Sequence, residues 1–259
     1  MYLRLRQICL VARELEPVAR TLAEVLGLSV CIRDPNVGKH GLENVVMPLD
    51  GTFLEVVSPF RPDTTAGRYL DRIGGDGGYM VILDCDDLGE REAHLARVGV
   101  RVPYTAHYPQ AGYRALHLHP KDVGASLLSI DHDAHGADLH GAWHPGGEGW
   151  HAHVRTARVG AIRGVVLQSG NPAGLASRWG EILGRPAVHR PDHWAIALDN
   201  AGIEFIQAGD DRGETMQGIV LECRDSAAIE KAAAAAGCAA PGGALRIGGI
   251  QFHLDGARR

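Results

Sequence analysis

Short runs of alternating apolar and polar residues dominate the chain, each bounded by turn residues. RQICLV, GYMVILDC and LLSID are runs of this kind and predict strands. Three stretches instead carry apolar residues at helical spacing. In the first, Pro17 opens the helix and Val18, Leu22, Val25 and Leu26 form its stripe, with Gly27 as the stop. In another, Asn171 is the predicted N-cap and Pro172 the first helical residue. Leu175, Trp179 and Ile182 form its stripe, and Gly184 ends it. The run EREAHLARVG predicts a further helix, with the acidic turn Asp84–Asp87 as its cap.

The pattern is written twice. RQICLVARELEPVARTLAEVLG lies over RGVVLQSGNPAGLASRWGEILG, and DGTFLEVV lies over DNAGIEFI with Glu55 on Glu204. GGYMVILDCDDL lies over MQGIVLECRDS with Met80 on Gly218, and GASLLSID over GGIQFHLD with Ser129 on His253. Each copy divides again into two strand–helix–strands units. The prediction is four βαβββ-like modules, the last abridged, paired into domains at 1–133 and 158–259. The Gly- and His-rich segment 134–157 is read as a linker on the surface, and its histidines as solvent-facing rather than metal-binding.

Sorting strands by parity separates two faces. Ile8, Leu10, Leu54, Val56, Val81, Leu83, Leu128 and Ile130 make one wholly aliphatic face for helices to cover. Gln7, Cys9, Phe53, Glu55, Val57, Met80, Ile82, Leu127 and Ser129 make a mixed face. In the second copy Gly164, Gln168, Glu204, Gly218, Gln251 and His253 take that place. A sheet built this way predicts a curved cup with a solvated or ligand-filled hollow.

Composition narrows the partners. The 259 residues carry a formal charge of −5, with no basic stripe for nucleic acid and no apolar run long enough to span a membrane. The strand pattern starts at the N-terminus without a cleavage-site pattern. The five cysteines are unpaired in spacing, which fits reduced thiols and a cytoplasmic location.

The runs SPFRPDTTAGRYLDRIGGDGGYMVILDCDDL and HLHPKDVGASLLSID resemble the vicinal oxygen chelate superfamily of glyoxalases, bleomycin-resistance proteins and extradiol dioxygenases. Residues 1–133 most resemble its methylmalonyl-CoA epimerases. The resemblance implies an α+β fold of tandem glyoxalase-type domains, each a cup-shaped sheet of paired βαβββ modules. It also implies a divalent metal held by one side chain from each of four strands. Those positions carry Gln7, Glu55, Met80 and Ser129 in the first copy, and Gly164, Glu204, Gly218 and His253 in the second. Methionine, serine and glycine are poor ligands for such ions, so no cofactor is expected. If a metal is bound, Gln7 and Glu55 or Glu204 and His253 hold it. The extradiol dioxygenase reading fails because neither cup supplies two His and a Glu.

The expected function is therefore isomerase, epimerase or lyase chemistry by proton abstraction from a small carbonyl or carboxylate molecule. Glu55 is the expected base, with Gln7 and His117 as catalytic partners. Met80, Ser129, Arg114 and Phe53 are the expected substrate contacts, and Glu204, Gln251 and His253 line the second cup. The alternative is a non-catalytic protein that sequesters a small molecule. Either form is expected as a monomer or homodimer.

Overall fold

The computed structural model of the protein describes residues 1–256. The first repeat runs β1 (Leu3–Val11), α1 (Leu15–Leu26), β2 (Leu42–Leu49), β3 (Thr52–Pro59), α2 (Thr65–Ile73), β4 (Gly77–Cys85), α3 (Leu88–Arg97), β5 (Tyr104–Tyr108), β6 (Tyr113–His117), α4 (Pro120–Val123) and β7 (Leu127–Asp133). The second runs β8 (Val159–Ser169), α5 (Pro172–Leu183), β9 (Ala187–His189), β10 (Trp194–Ala197), β11 (Gly202–Gln207), β12 (Thr215–Cys223), α6 (Ser226–Ala236), β13 (Leu245–Ile247) and β14 (Ile250–Asp255).

The strands form two curled seven-stranded sheets that follow the two repeats. Their orders are β2-β3-β1-β4-β7-β6-β5 and β13-β14-β12-β8-β11-β10-β9. The middle modules, β4-α3-β5-β6-β7 and β8-α5-β9-β10-β11, are complete βαβββ units. The first and last are both shortened. Their missing strand survives only as an isolated bridge, Ile32 with Val46 and Ala239 with Leu245.

Local signals explain the helices. Asn171 accepts a hydrogen bond from the Gly174 amide at 3.0 Å, and Pro172 begins α5. Asp87 caps α3 through the Glu90 amide at 2.9 Å. Gly27 and Gly184 stop α1 and α5 in the left-handed region, at φ 74° and 62°, where a Cβ would be strained. The aliphatic face is as expected: Ile8, Leu10, Val56, Val81, Leu83, Leu128 and Ile130 are all fully buried.

Two compact units emerge from the contacts, and neither is a contiguous half of the chain. One comprises Met1–Gln7, Tyr79–His144 and Gly164–Gln217, so it joins the second module to the third. Within it Trp179 of α5 is fully buried and donates its indole N–H to Val123 O at 3.1 Å. Around it Arg178 donates to Asp122 O at 2.9 Å, and Arg91 to Leu183 O at 2.9 Å. Asn200 bonds both the amide and the carbonyl of Leu5, each at 2.9 Å.

The other unit comprises Ile8–Gly78, Pro145–Arg163 and Gly218–Arg259, joining the first module to the last. Here α1 packs on α6, and Gly248, at φ 56°, lies close to Val18 and Leu10. The Thr52 hydroxyl accepts from the Ile162 amide at 3.0 Å.

Trp179 concentrates apolar burial and a hydrogen bond where two modules meet inside one unit. Trp179→Ala is expected to cost about 3–5 kcal/mol, read as a lowered urea midpoint with an unchanged slope.

Candidate functional site

Glu55 stands on β3, opposite Val46 of β2, and is 8% exposed. Its neighbours along the same face are Phe53 and Val57, both buried. Asn44, two residues along β2 from Val46, donates from Nδ2 to Glu55 Oε1 at 2.6 Å. Asn44 is itself fixed, because its Oδ1 accepts from the Asp34 amide at 2.8 Å. The Cys9 thiol lies near Glu55 and donates to Leu10 O at 3.4 Å. Burial pushes that thiol well above its ordinary pKa, and the Glu55 carboxylate adds to the effect. Cys9 is therefore a neutral donor rather than a nucleophile.

Phe53 is fully buried, with the Trp150 ring at 4.9 Å, edge to face. Trp150 comes from the segment between the repeats and is 2% exposed. Gly146 lies against the Phe53 ring, where an added Cβ would sit 2.7 Å from it.

In the other unit, Gln7 is 2% exposed and accepts from Trp143 Nε1 at 2.8 Å. Arg6 lies 5.2 Å from the same indole ring. Consecutive residues thus reach one side chain, and strict alternation does not hold at this point of β1. Met80 on β4 is 8% exposed. Ser129 on β7 is fully buried and donates to Asp131, which also accepts from the Tyr113 hydroxyl. His117 pairs in register with Ser129 and packs edge to face on Tyr104 at 5.1 Å.

Several expectations are corrected here. The segment 134–157 does not simply cross the surface, since Trp143 and Trp150 are sealed against Gln7 and Phe53. At Gln7 and Phe53 the mixed face of the first sheet is therefore covered by these two tryptophans rather than open to solvent. Arg114 does not accompany His117: it shares the helix side of β6 with buried Leu116 and approaches Glu92 at 3.4 Å. His119 is structural, accepting the Lys121 amide as the cap of α4.

The second sheet differs. Glu204 lies opposite Val166 on β8 and Ala195 on β10, half-exposed. Gln251 pairs with Gly218, and both Gln251 and His253 are half-exposed. The His253 ring lies over Gly218, where a Cβ would come within 3.0 Å of Nε2.

Neither set fits the metal implied by the resemblance. In the first, the Gln7 oxygen is taken by an indole, Ser129 is turned to Asp131, and Met80 offers a thioether. In the second, two of the four positions are glycines. Among the described residues no three His, Cys, Asp or Glu side chains gather as a ligand set.

Three features escaped the sequence reading: Asn44, Asp131 and the arginine pair Arg4 and Arg6. Extending the alternation from Ser129 along LLSIDHD places Asp131 on the same face. Its pKa is raised to about 7, chiefly by burial, with the nearby Asp84 carboxylate adding to the rise while Ser129 and Tyr113 oppose it. Such a carboxyl stabilises the fold fully below its unfolded pKa near 4, and that contribution is lost as pH rises through about 7. Asp84 is raised as well, again by burial. Asp131→Asn removes one of these titrations. Its stability relative to wild type should grow between pH 4 and 7, by on the order of 2–4 kcal/mol, in denaturant titrations across that range. A pH-independent difference would contradict the assignment.

Comparison with known proteins matches this architecture. No protein-family model matches the chain. Human mitochondrial methylmalonyl-CoA epimerase is 25% identical over 133 residues, covering 49% of this chain and 73% of that protein. A mutant of 4-hydroxymandelate synthase from Streptomyces coelicolor superposes with a TM-score of 0.67 at 17% identity, covering 94% of this chain and 76% of that one. A hypothetical protein from Staphylococcus aureus gives 0.66 at 11% identity, covering 98% and 99%.

Proposed function

We propose that this chain, which has the tandem vicinal oxygen chelate fold, moves a proton on a small carbonyl or carboxylate molecule, with Glu55 as the base. The observation that carries the reading is the setting of Glu55. A carboxylate is held among Phe53, Val46 and Val57, aimed by an asparagine that is itself fixed by the Asp34 amide. Desolvation makes a carboxylate a stronger base, and a fixed orientation removes the entropic cost of aligning it with an acidic C–H.

The mismatch between the family's ligand positions and the donors present supports proton transfer that depends on protein groups. Asn44 donates to Glu55 and would steady the negative charge it carries before it accepts a proton. The similarity to an epimerase over the first repeat supports an acid bearing a carbonyl at the neighbouring carbon as the substrate class.

The first probe is methylmalonyl-CoA in deuterated buffer, with α-deuterium uptake followed by mass spectrometry. The wild type is expected to exchange the proton, and Glu55→Gln to slow exchange roughly 10²–10⁴-fold with an unchanged melting profile. Binding without exchange would replace this reading with sequestration. Exchange that survives Glu55→Gln would remove Glu55 from the reaction.

A further inference from the structure

Arg6 is fully buried and Arg4 is 9% exposed. A guanidinium has five N–H donors and no acceptor, so burying one requires acceptors on every side. The loop after β7 supplies them as main-chain carbonyls. Arg4 donates to Gly136 O at 2.7 Å and to Ala137 O at 3.0 Å. Arg6 donates to Leu139 O, and to Ala142 O at 3.4 Å. Arg4 also pairs with Asp84. Even so, Arg4 Nε and Asp84 Oδ1 are buried with no hydrogen-bond partner among the described residues. Burial outweighs the surrounding carboxylates at Arg6, lowering its pKa to about 10.

Neutral carbonyls are weaker partners for guanidinium than carboxylates, whose charge-assisted bonds are about twice as strong and can be bidentate. The loop is also lightly held. Ala134, His135, Ala137, Asp138, His140 and Ala142 are exposed, so the apolar burial of the segment is concentrated at Trp143. Both of its ends return to one carboxylate: Asp133 accepts from the His135 amide at 3.0 Å and the His144 amide at 2.9 Å. Trp143 adds its indole bond to Gln7.

We propose that Arg4 and Arg6 form a binding site for a small carboxylate, in which the carbonyls of residues 136–142 stand in for the ligand, and that the carboxylate displaces this loop. Asp133 is the pivot and Trp143 the latch. The site lies within one compact unit and does not involve Glu55, so it goes beyond the proton-transfer reading.

The test uses the full chain and sodium malonate as the probe, against sodium chloride at matched ionic strength. Hydrogen–deuterium exchange of peptides covering 135–144 is expected to quicken saturably with malonate and to stay flat with chloride. Replacing an arginine risks the fold, so the variant is Trp143→Phe, which keeps both guanidiniums and removes the latch bond. Losing one neutral hydrogen bond should make malonate bind roughly three- to tenfold more tightly. The proposal is overturned if malonate leaves exchange in the loop unchanged or slows it, or if chloride has the same effect. An unchanged malonate affinity in Trp143→Phe overturns it too. Methylmalonyl-CoA exchange is a separate measurement, and either proposal can fail while the other stands.

Discussion

A guanidinium sealed from water must find acceptors, and this requirement shapes the segment that joins the two repeats. With Arg4 and Arg6 buried at the start of β1, Gly136, Ala137, Leu139 and Ala142 turn their carbonyls inward, and Trp143 follows onto Gln7. Beyond it Gly146 and Trp150 close on Phe53. The composition of the segment fits the task. Glycines let the backbone approach closely, while two tryptophans provide large apolar surfaces with a polar N–H. A joint of this kind costs donors and carbonyls that an open ligand cup would otherwise offer.

That cost explains why the two sheets differ although they share a plan. In the first, polar groups on the mixed face serve other residues: Gln7 accepts from Trp143, Glu55 accepts from Asn44, and Ser129 donates to Asp131. In the second, Glu204, Gln251 and His253 remain half-exposed and two ligand positions have no side chain. Of the eight corresponding positions, Met80, Ser129, Gly164 and Gly218 carry poor metal ligands or none, and Gln7 and Glu55 are engaged by Trp143 and Asn44. Function on such a scaffold resides in the site rather than in the architecture.

Much of the fold was legible in the sequence because it is local. Caps at Asn171 and Asp87, stops at Gly27 and Gly184, and the aliphatic face from Ile8 to Ile130 all follow from periodicity and turn chemistry. The repeat placed Glu55 and Glu204 on corresponding strands, each next to the first strand of its sheet. The site was less legible. Parity left Arg6 unassigned, and its approach to the same indole that Gln7 accepts from is marked by no local signal. Burial of the linker was hidden by its glycines and histidines, with Trp143 and Trp150 as the only hints. The pairing of the first module with the last depends on tertiary packing between distant segments, which periodicity does not report.

That pairing has a consequence for synthesis. The unit made from the second and third modules is complete once residue 217 has been made. The other unit begins at Ile8 yet needs Gly218 onward for α6 and β14. During vectorial synthesis α1 emerges early with an apolar stripe whose eventual partner is among the last residues translated. Closing that unit joins segments about two hundred residues apart, so the entropic cost of bringing them together comes late and the intermediate carries exposed apolar surface meanwhile. A chain cut short before α6 and β14 would thus leave the apolar stripe of α1 without the helix it packs on.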